Sequence, residues 1–185
     1  QFKDGQKAEA IATLDRFIRL HPDSSAIDYA LYMKGVINFN EDLGLFSFLS
    51  RQDLSERDQK AAKQAFESFD ELVKRFPDSR YTPDAKARMR YTVNALAQYE
   101  VHVARYYYQR GAYVAAINRA QQAIADYRDA PALEEALYIL VRAYDKLGMD
   151  QLRDDAERVL TQNYPNSVYL ARGFKGPDKP WWQIW

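Results

Sequence analysis

Residues 106–127 read YYYQRGAYVAAINRAQQAIADY and describe two helices that meet at a glycine. Gly111 provides the turn. Small or apolar residues then recur at steps of three and four: Ala116, Ile117, Ala120, Ala123, Ile124 and Tyr127. This spacing places one apolar stripe on one helical face. Because a single hairpin cannot bury such faces alone, the stretch predicts neighbouring hairpins of the same kind, as in a helical solenoid.

The second helix of this hairpin has copies elsewhere in the chain. Residues 10–22 and 65–77 repeat the pattern of residues 116–128, and a weaker copy ends at residue 165. The copies are spaced more widely than the roughly 34 residues of a tetratricopeptide repeat. We attribute the excess to a loop at about residues 41–57 and to a long helix at about residues 82–110. The sequence therefore predicts an all-α fold, a superhelical solenoid of antiparallel tetratricopeptide helix pairs.

The repeats define one predicted domain over residues 1–171. It comprises a partial first repeat (1–22), repeats at about 26–77, 82–128 and 131–165, and then an aromatic tail over residues 172–185. Gly5 resembles the turn of a hairpin whose first helix is missing, and the apolar residues of the next helix lack a neighbour. We therefore expect the chain to be a fragment of a longer protein.

The long helix carries two apolar stripes, and we predict that both are buried between layers. Its tyrosines are interpreted as packing residues with wet hydroxyl tips. The first stripe comprises Val93, Leu96, Val103 and Tyr107, and the second comprises Tyr91, Ala95, Tyr99, His102 and Tyr106.

Composition and motifs argue against several functions. Twenty-six basic residues balance 26 acidic ones, and no basic run appears that would track nucleic-acid phosphates. The two histidines, His21 and His102, are not beside carboxylates at metal-ligand spacing, so we expect no metal. No phosphate-binding glycine loop or nucleophile motif is present. We expect neither an enzyme nor a cofactor, and we interpret the many Asp and Glu residues as solvating the helices.

Two apolar segments lie outside the helical pattern. The loop carries Phe46 and Phe48, and we favour packing against the solenoid itself over contact with a partner. The tail carries Trp181, Trp182 and Trp185 among glycines and prolines. It either folds back onto the last repeat or anchors another protein, and the sequence leaves both possibilities open.

Three segments together resemble the BamD family, the tetratricopeptide lipoproteins of the β-barrel assembly machinery. They are DRFIRLHPDSSAIDYALYMKG at residues 15–35, SRQDLSERDQKAAKQAFESFDELVKRFPDS at 50–79 and QYEVHVARYYYQRGAYVAAINR at 98–119. The inserted loop and the long helix also lie where that family has them. The family's lipidated N-terminal cysteine and first repeat are absent from this sequence.

The resemblance implies a scaffold at the periplasmic face of the outer membrane. It implies three kinds of partner: the POTRA region of the barrel subunit BamA, the smaller lipoproteins of the complex, and unfolded outer membrane proteins. It aligns Arg119 with an arginine that meets an acidic residue of the last POTRA domain, with Arg110 and Tyr106 nearby. From its spacing we expect Arg119 to face solvent and its replacement to leave folding nearly unchanged.

One alternative is a generic adaptor that captures peptide segments. A cytosolic adaptor of this kind that captures the C-terminal carboxylate of a peptide needs Lys, Arg or Asn residues gathered on consecutive first helices. The candidates here are scattered: Lys34, Arg88, Arg90 and Arg142. A second alternative is a repeat-flanked enzyme domain.

Overall fold

The computed structural model describes residues 4–42 and 56–174, where it shows an all-α fold without strands. Side chains are described for residues 6–39 and 60–174. The described helices are α1 (Asp4–Leu20), α2 (Ile27–Asp42), α3 (Glu56–Arg75), α4 (Thr82–Gln109), α5 (Tyr113–Asp126), α6 (Leu133–Lys146), α7 (Asp150–Asn163) and α8 (Val168–Arg172). Helix α2 packs on α1 and on α3, and α6 packs on α5, α7 and α8, as in a tetratricopeptide-like helical repeat. The predicted long helix at residues 82–110 is confirmed as α4.

The chain divides into two compact units, Gln1–Leu96 and Ala97–Trp185, and α4 contributes to both. The first unit has a core of Ile27, Leu31, Ala65, Phe69, Leu72 and Ala85, where α2 packs on α3. Gly35 lets α2 approach this core closely, since a Cβ there would lie 2.4 Å from the ring of Phe69. Helix α1 packs on α2 through half-buried side chains that include Phe17 and Ile18.

The second unit stacks α5, α6 and α7, and α6 is the most buried of the three. The predicted stripe of α5 is confirmed: Ala116, Ile117, Ala120 and Ala123 are buried, and Ile124 and Tyr127 pack half-buried against the same core. The alanines of this stripe lie in a core that also includes buried residues of α4 and α6.

Helix ends follow the turn residues in most places. Gly111, at the predicted hairpin turn, has a positive φ angle of 76°, and Gly148, between α6 and α7, has one of 68°. Pro83 lies in the first turn of α4, where its missing N–H costs little. The same preference predicts Pro131 in the first turn of α6, but α6 begins only at Leu133, so this prediction is wrong. The chain makes a turn at Pro131 and Ala132 before it enters the helix.

Helix α8 was not predicted, although its signal is in the sequence. Ser167 is its N-cap, and the Ser167 side chain accepts a hydrogen bond from the backbone N–H of Leu170. Gly173 ends the helix with a φ of 68°. Phe174 then packs near the rings of Tyr108 and Tyr138, with centroid distances of 5.0 and 4.9 Å. The start of the predicted tail thus folds onto its own last repeat.

The prediction of two buried stripes on α4 is wrong for the second stripe. Tyr91 and Tyr106 are 40% and 50% exposed, and His102 is exposed. The buried side chains of the middle of α4 instead include Leu96, Ala97, Glu100, Val101 and Ala104. A tyrosine satisfies either environment, so its presence does not report which face of a helix is covered.

Candidate partner-binding surface

Arg119 projects from the solvent face of α5, as predicted, but it is paired. Its Nη1 donates a hydrogen bond to Oε2 of Glu100 on α4, at 3.1 Å. The arginine side chain is 45% exposed, whereas the glutamate side chain is 11% exposed. A half-exposed cation is thus anchored on a nearly buried anion. This pairing revises the expectation about folding, because removing Arg119 would leave the carboxylate of Glu100 buried without its partner.

Tyr106 and Arg110 lie together at the C-terminal end of α4. The guanidinium carbon of Arg110 stands 5.1 Å from the ring centroid of Tyr106, within the range of a cation–π interaction. Tyr106 also meets the ring of Tyr107 edge-on, at a centroid distance of 5.9 Å. The half-buried Tyr107 packs against the core of the second unit. This arrangement offers an exposed aromatic face and a positive charge to a partner.

The three residues that the family resemblance singled out form two groups, Arg119 in one and Tyr106 with Arg110 in the other. Glu100, the partner of Arg119, precedes Tyr106 by six residues, which is about 9 Å along the helix axis. Arg110 and Tyr106 contact each other at the C-terminal end of α4, next to the turn at Gly111. A partner that contacts all three must therefore cover about two turns of α4 and the face of α5 beside them.

A buried charge network lies close in sequence to this surface. Arg105 of α4 makes a two-pronged ion pair with Glu135 of α6, whose side chain is 8% exposed. The Tyr169 hydroxyl of α8 donates a hydrogen bond to the same carboxylate, at 3.0 Å. Burial, the charge of Glu135 and this hydrogen bond raise the pKa of Tyr169 to about 12. Burial lowers the pKa of Arg105, but the hydrogen bonds and charge of Glu135 outweigh it and raise that pKa.

Sequence reasoning missed the two buried glutamates. It assigned the acidic residues to solvent faces, yet Glu100 and Glu135, counted as whole residues, are only 8% and 6% exposed. One signal was present for Glu100, because it follows Leu96 by four residues and precedes Ala104 by four, within an apolar spacing. An acidic residue at such a position predicts a buried ion pair, but its partner lies 19 residues further along the chain.

The scattered basic residues considered for a carboxylate site are not gathered. Lys34 pairs with Asp15 at 2.6 Å, and Arg88 pairs with Asp84 at 2.6 Å. Arg142 lies in the second unit, where a hydrogen bond with the Tyr108 hydroxyl raises its pKa.

The first unit has an open cleft of about 730 Å³ where the α1–α2 and α3–α4 turns meet. Tyr29, Tyr81 and Arg80 line it, together with Asp28, Ser79 and their neighbours. Tyr29 is 48% exposed, and its ring lies 5.6 Å from that of Tyr81. Arg80 stands over Tyr81 at 4.8 Å. The aromatic residues of the loop and tail, considered above for packing on the solenoid or for contact with a partner, lie outside the described residues: Phe46, Phe48, Trp181, Trp182 and Trp185.

The sequence matches the model of the family described as "YfiO: Outer membrane lipoprotein" over residues 1–160. The chain belongs to the BamD family. It is 49% identical to the outer membrane protein assembly factor BamD of Neisseria meningitidis serogroup A, over the whole of this chain and 69% of that protein. It is 39% identical to that of Xylella fastidiosa strain Temecula1, over 97% of this chain and 61% of that protein. It is 35% identical to the BamD of Vibrio cholerae, over 88% of this chain and 67% of that protein.

Two further findings bear on how a BamD-family chain could act. Within residues 4–42 and 56–174, no helix combines the length and the apolarity needed to cross a membrane. The same described residues contain no cluster of three carboxylate or histidine side chains arranged to hold a metal ion.

Proposed function

We propose that this chain is a non-enzymatic scaffold subunit of the machinery that assembles β-barrel proteins in the outer membrane. Held at the periplasmic face of that membrane, it docks the POTRA region of the barrel subunit BamA. Family membership supports this role, since its relatives are named outer membrane protein assembly factors. A second unit whose stacked helices leave charged and aromatic side chains exposed suits a docking role.

The observation that carries the proposal is the geometry of Arg119. Its guanidinium is half exposed and fixed at one end by Glu100, so part of it remains available to an acidic partner. A guanidinium has five N–H donors in a planar fork and binds carboxylates in two-pronged, charge-assisted pairs. When such a pair is desolvated in an interface, removing either charged residue weakens binding strongly.

Tyr106 and Arg110 extend the proposed contact along α4. Tyrosine and arginine are enriched among the residues that dominate interface energies. Here the stacking of Arg110 on Tyr106 fixes both side chains before binding, which reduces the entropy lost on docking. The half-exposed ring of Tyr106 would be removed from water when the partner binds.

The test is calorimetric titration of the last POTRA domain of BamA into this chain. Arg119→Ala and Arg119→Glu should weaken binding by tenfold or more, at about 1.4 kcal/mol per decade. Titrations are run well below the melting temperature of each variant, because both substitutions disturb Glu100. Arg158→Ala is the matched control, since Arg158 is an exposed arginine of α7 paired with Asp155. Unchanged affinity in Arg119→Glu would remove Arg119 from the docking site.

The cleft of the first unit favours a second candidate function, the binding of extended segments of unfolded outer membrane proteins. Exposed Tyr29 and the stacked Arg80 and Tyr81 offer aromatic and cationic contacts in an open site. A generic peptide adaptor would use the same cleft. Fluorescence anisotropy with labelled outer membrane protein peptides tests it: Tyr29→Ala should weaken binding, whereas Tyr91→Ala, an exposed tyrosine that is not among the cleft residues, should not.

A further inference from the structure

The ion pair between Arg119 and Glu100 is asymmetric. The carboxylate is nearly buried, and the guanidinium is half exposed. Among the described residues, Glu100 is the anionic partner of Arg119, and the hydrogen bond uses one nitrogen, Nη1. The remaining donors of the guanidinium are therefore not required by Glu100 and can face a second acceptor.

A partner cannot easily draw Arg119 away from Glu100. Withdrawing the arginine would leave a buried carboxylate without a compensating charge, which is strongly unfavourable. The arginine therefore stays on Glu100 when an acidic partner arrives. Glu100 restricts the guanidinium to a limited set of positions before the encounter, which lowers the entropy that binding must offset.

We propose that Glu100 is a positioning residue for docking: it holds Arg119 so that a carboxylate of the partner completes a carboxylate–guanidinium–carboxylate chain. This inference rests on the proposed docking role of Arg119. It also accounts for arginine at position 119, because a planar fork holds two carboxylates on different edges, whereas a lysine ammonium is a point charge. The inference opposes a simpler expectation, in which Glu100 only competes with the partner for the arginine.

Positioning and competition predict opposite changes in the affinity for the partner when Glu100 is replaced by leucine. This substitution removes a negative charge beside Arg119, so competition predicts tighter binding of the acidic partner. Positioning predicts weaker binding, because the arginine becomes free to move. The variant should fold, since Arg119 is exposed enough to be hydrated alone and leucine suits a buried site. Glu100→Gln is a second variant, whose amide oxygen still accepts a hydrogen bond from Arg119 without the charge.

The experiment is titration of the last POTRA domain of BamA into each variant, at one pH and one ionic strength, with thermal melts in parallel. We expect Glu100→Leu to weaken binding about tenfold, near the value of one charge-assisted hydrogen bond. Glu100→Gln should weaken it less. Asp126→Asn is the matched control, because it removes one negative charge from α5, where Asp126 accepts a hydrogen bond from Gln122 and not from Arg119. Its affinity should stay within about twofold of the original.

A double-variant cycle separates the outcomes. If Glu100 acts through Arg119, Glu100→Leu should have no further effect on affinity in an Arg119→Ala background. Unchanged or tighter binding by Glu100→Leu overturns the positioning role, and so does a loss that persists in that background. If Arg119→Ala itself binds like the original chain, the proposed role of Arg119 in docking fails instead.

Discussion

Removing Arg105 should destabilise the second unit much more than removing an exposed arginine. Arg105→Met takes away both prongs of the pair with Glu135, whose side chain is 8% exposed. Breaking a buried pair by removing one partner costs about 3–5 kcal/mol. Two features favour the lower end of this range: Arg105 is itself 36% exposed, and the Tyr169 hydroxyl remains as a donor to the carboxylate. We therefore expect a loss of about 3 kcal/mol in the free energy of unfolding.

The compensating variant tests the cause. Arg105→Met combined with Glu135→Leu removes both charges and fills the space with apolar atoms, which is often neutral relative to the original pair. It should recover to within about 1 kcal/mol of the original stability, and the remaining loss reflects the Tyr169 hydroxyl without its acceptor. Recovery by the double variant would show that the unpaired carboxylate, and not the missing arginine packing, causes the loss.

The assay is urea unfolding followed by circular dichroism at pH 7. Arg158→Met is the control, because Arg158 and its partner Asp155 are 64% and 48% exposed, and such a pair contributes about 0–1 kcal/mol. If Arg105→Met proved no more destabilising than this control, the reasoning from burial would be refuted.

Three further predictions follow from single features. The Tyr169→Phe variant should be less stable than the original chain below pH 10, and this difference should shrink by roughly 1 kcal/mol between pH 10 and 12. The reason is that the pKa of Tyr169 is raised to about 12 in the folded chain, so the stability that its protonated hydroxyl contributes is lost as the pH rises; the magnitude is discounted for partial exposure. Urea unfolding of both chains at a series of pH values measures the difference. Gly35→Ala should lower the free energy of unfolding in urea by about 1–3 kcal/mol, although alanine has the better helix propensity, because the added Cβ would lie 2.4 Å from the buried Phe69 ring. Equal or greater stability of the variant would show that the ring moves freely. Amide hydrogens of α1 should exchange faster than those of α5, because the described side chains of α1 include none that is buried; equal protection would reveal other cover.

Local sequence pattern predicted the positions of the helices well. Residues 116–127 carry a stripe of small or apolar side chains, and the structure buries or half-buries that face. Gly111 and Gly148 ended helices where a positive φ is needed, because other residues adopt that conformation at a cost. These features depend on a few neighbouring residues. The sequence alone therefore determined the all-α repeat architecture, the exposure of Arg119 and, through resemblance, the family.

Tertiary structure decided which face of α4 is covered and which charges are paired. The tyrosines of α4 fit a buried or an exposed face equally, so the exposure of Tyr106 depended on the helices packed nearby. Glu100 and Glu135 are acceptable inside because Arg119 and Arg105 reach them from other helices, 19 and 30 residues away in sequence. Burying a carboxylate is unfavourable until such a partner is in place, and only folding brings the partner there.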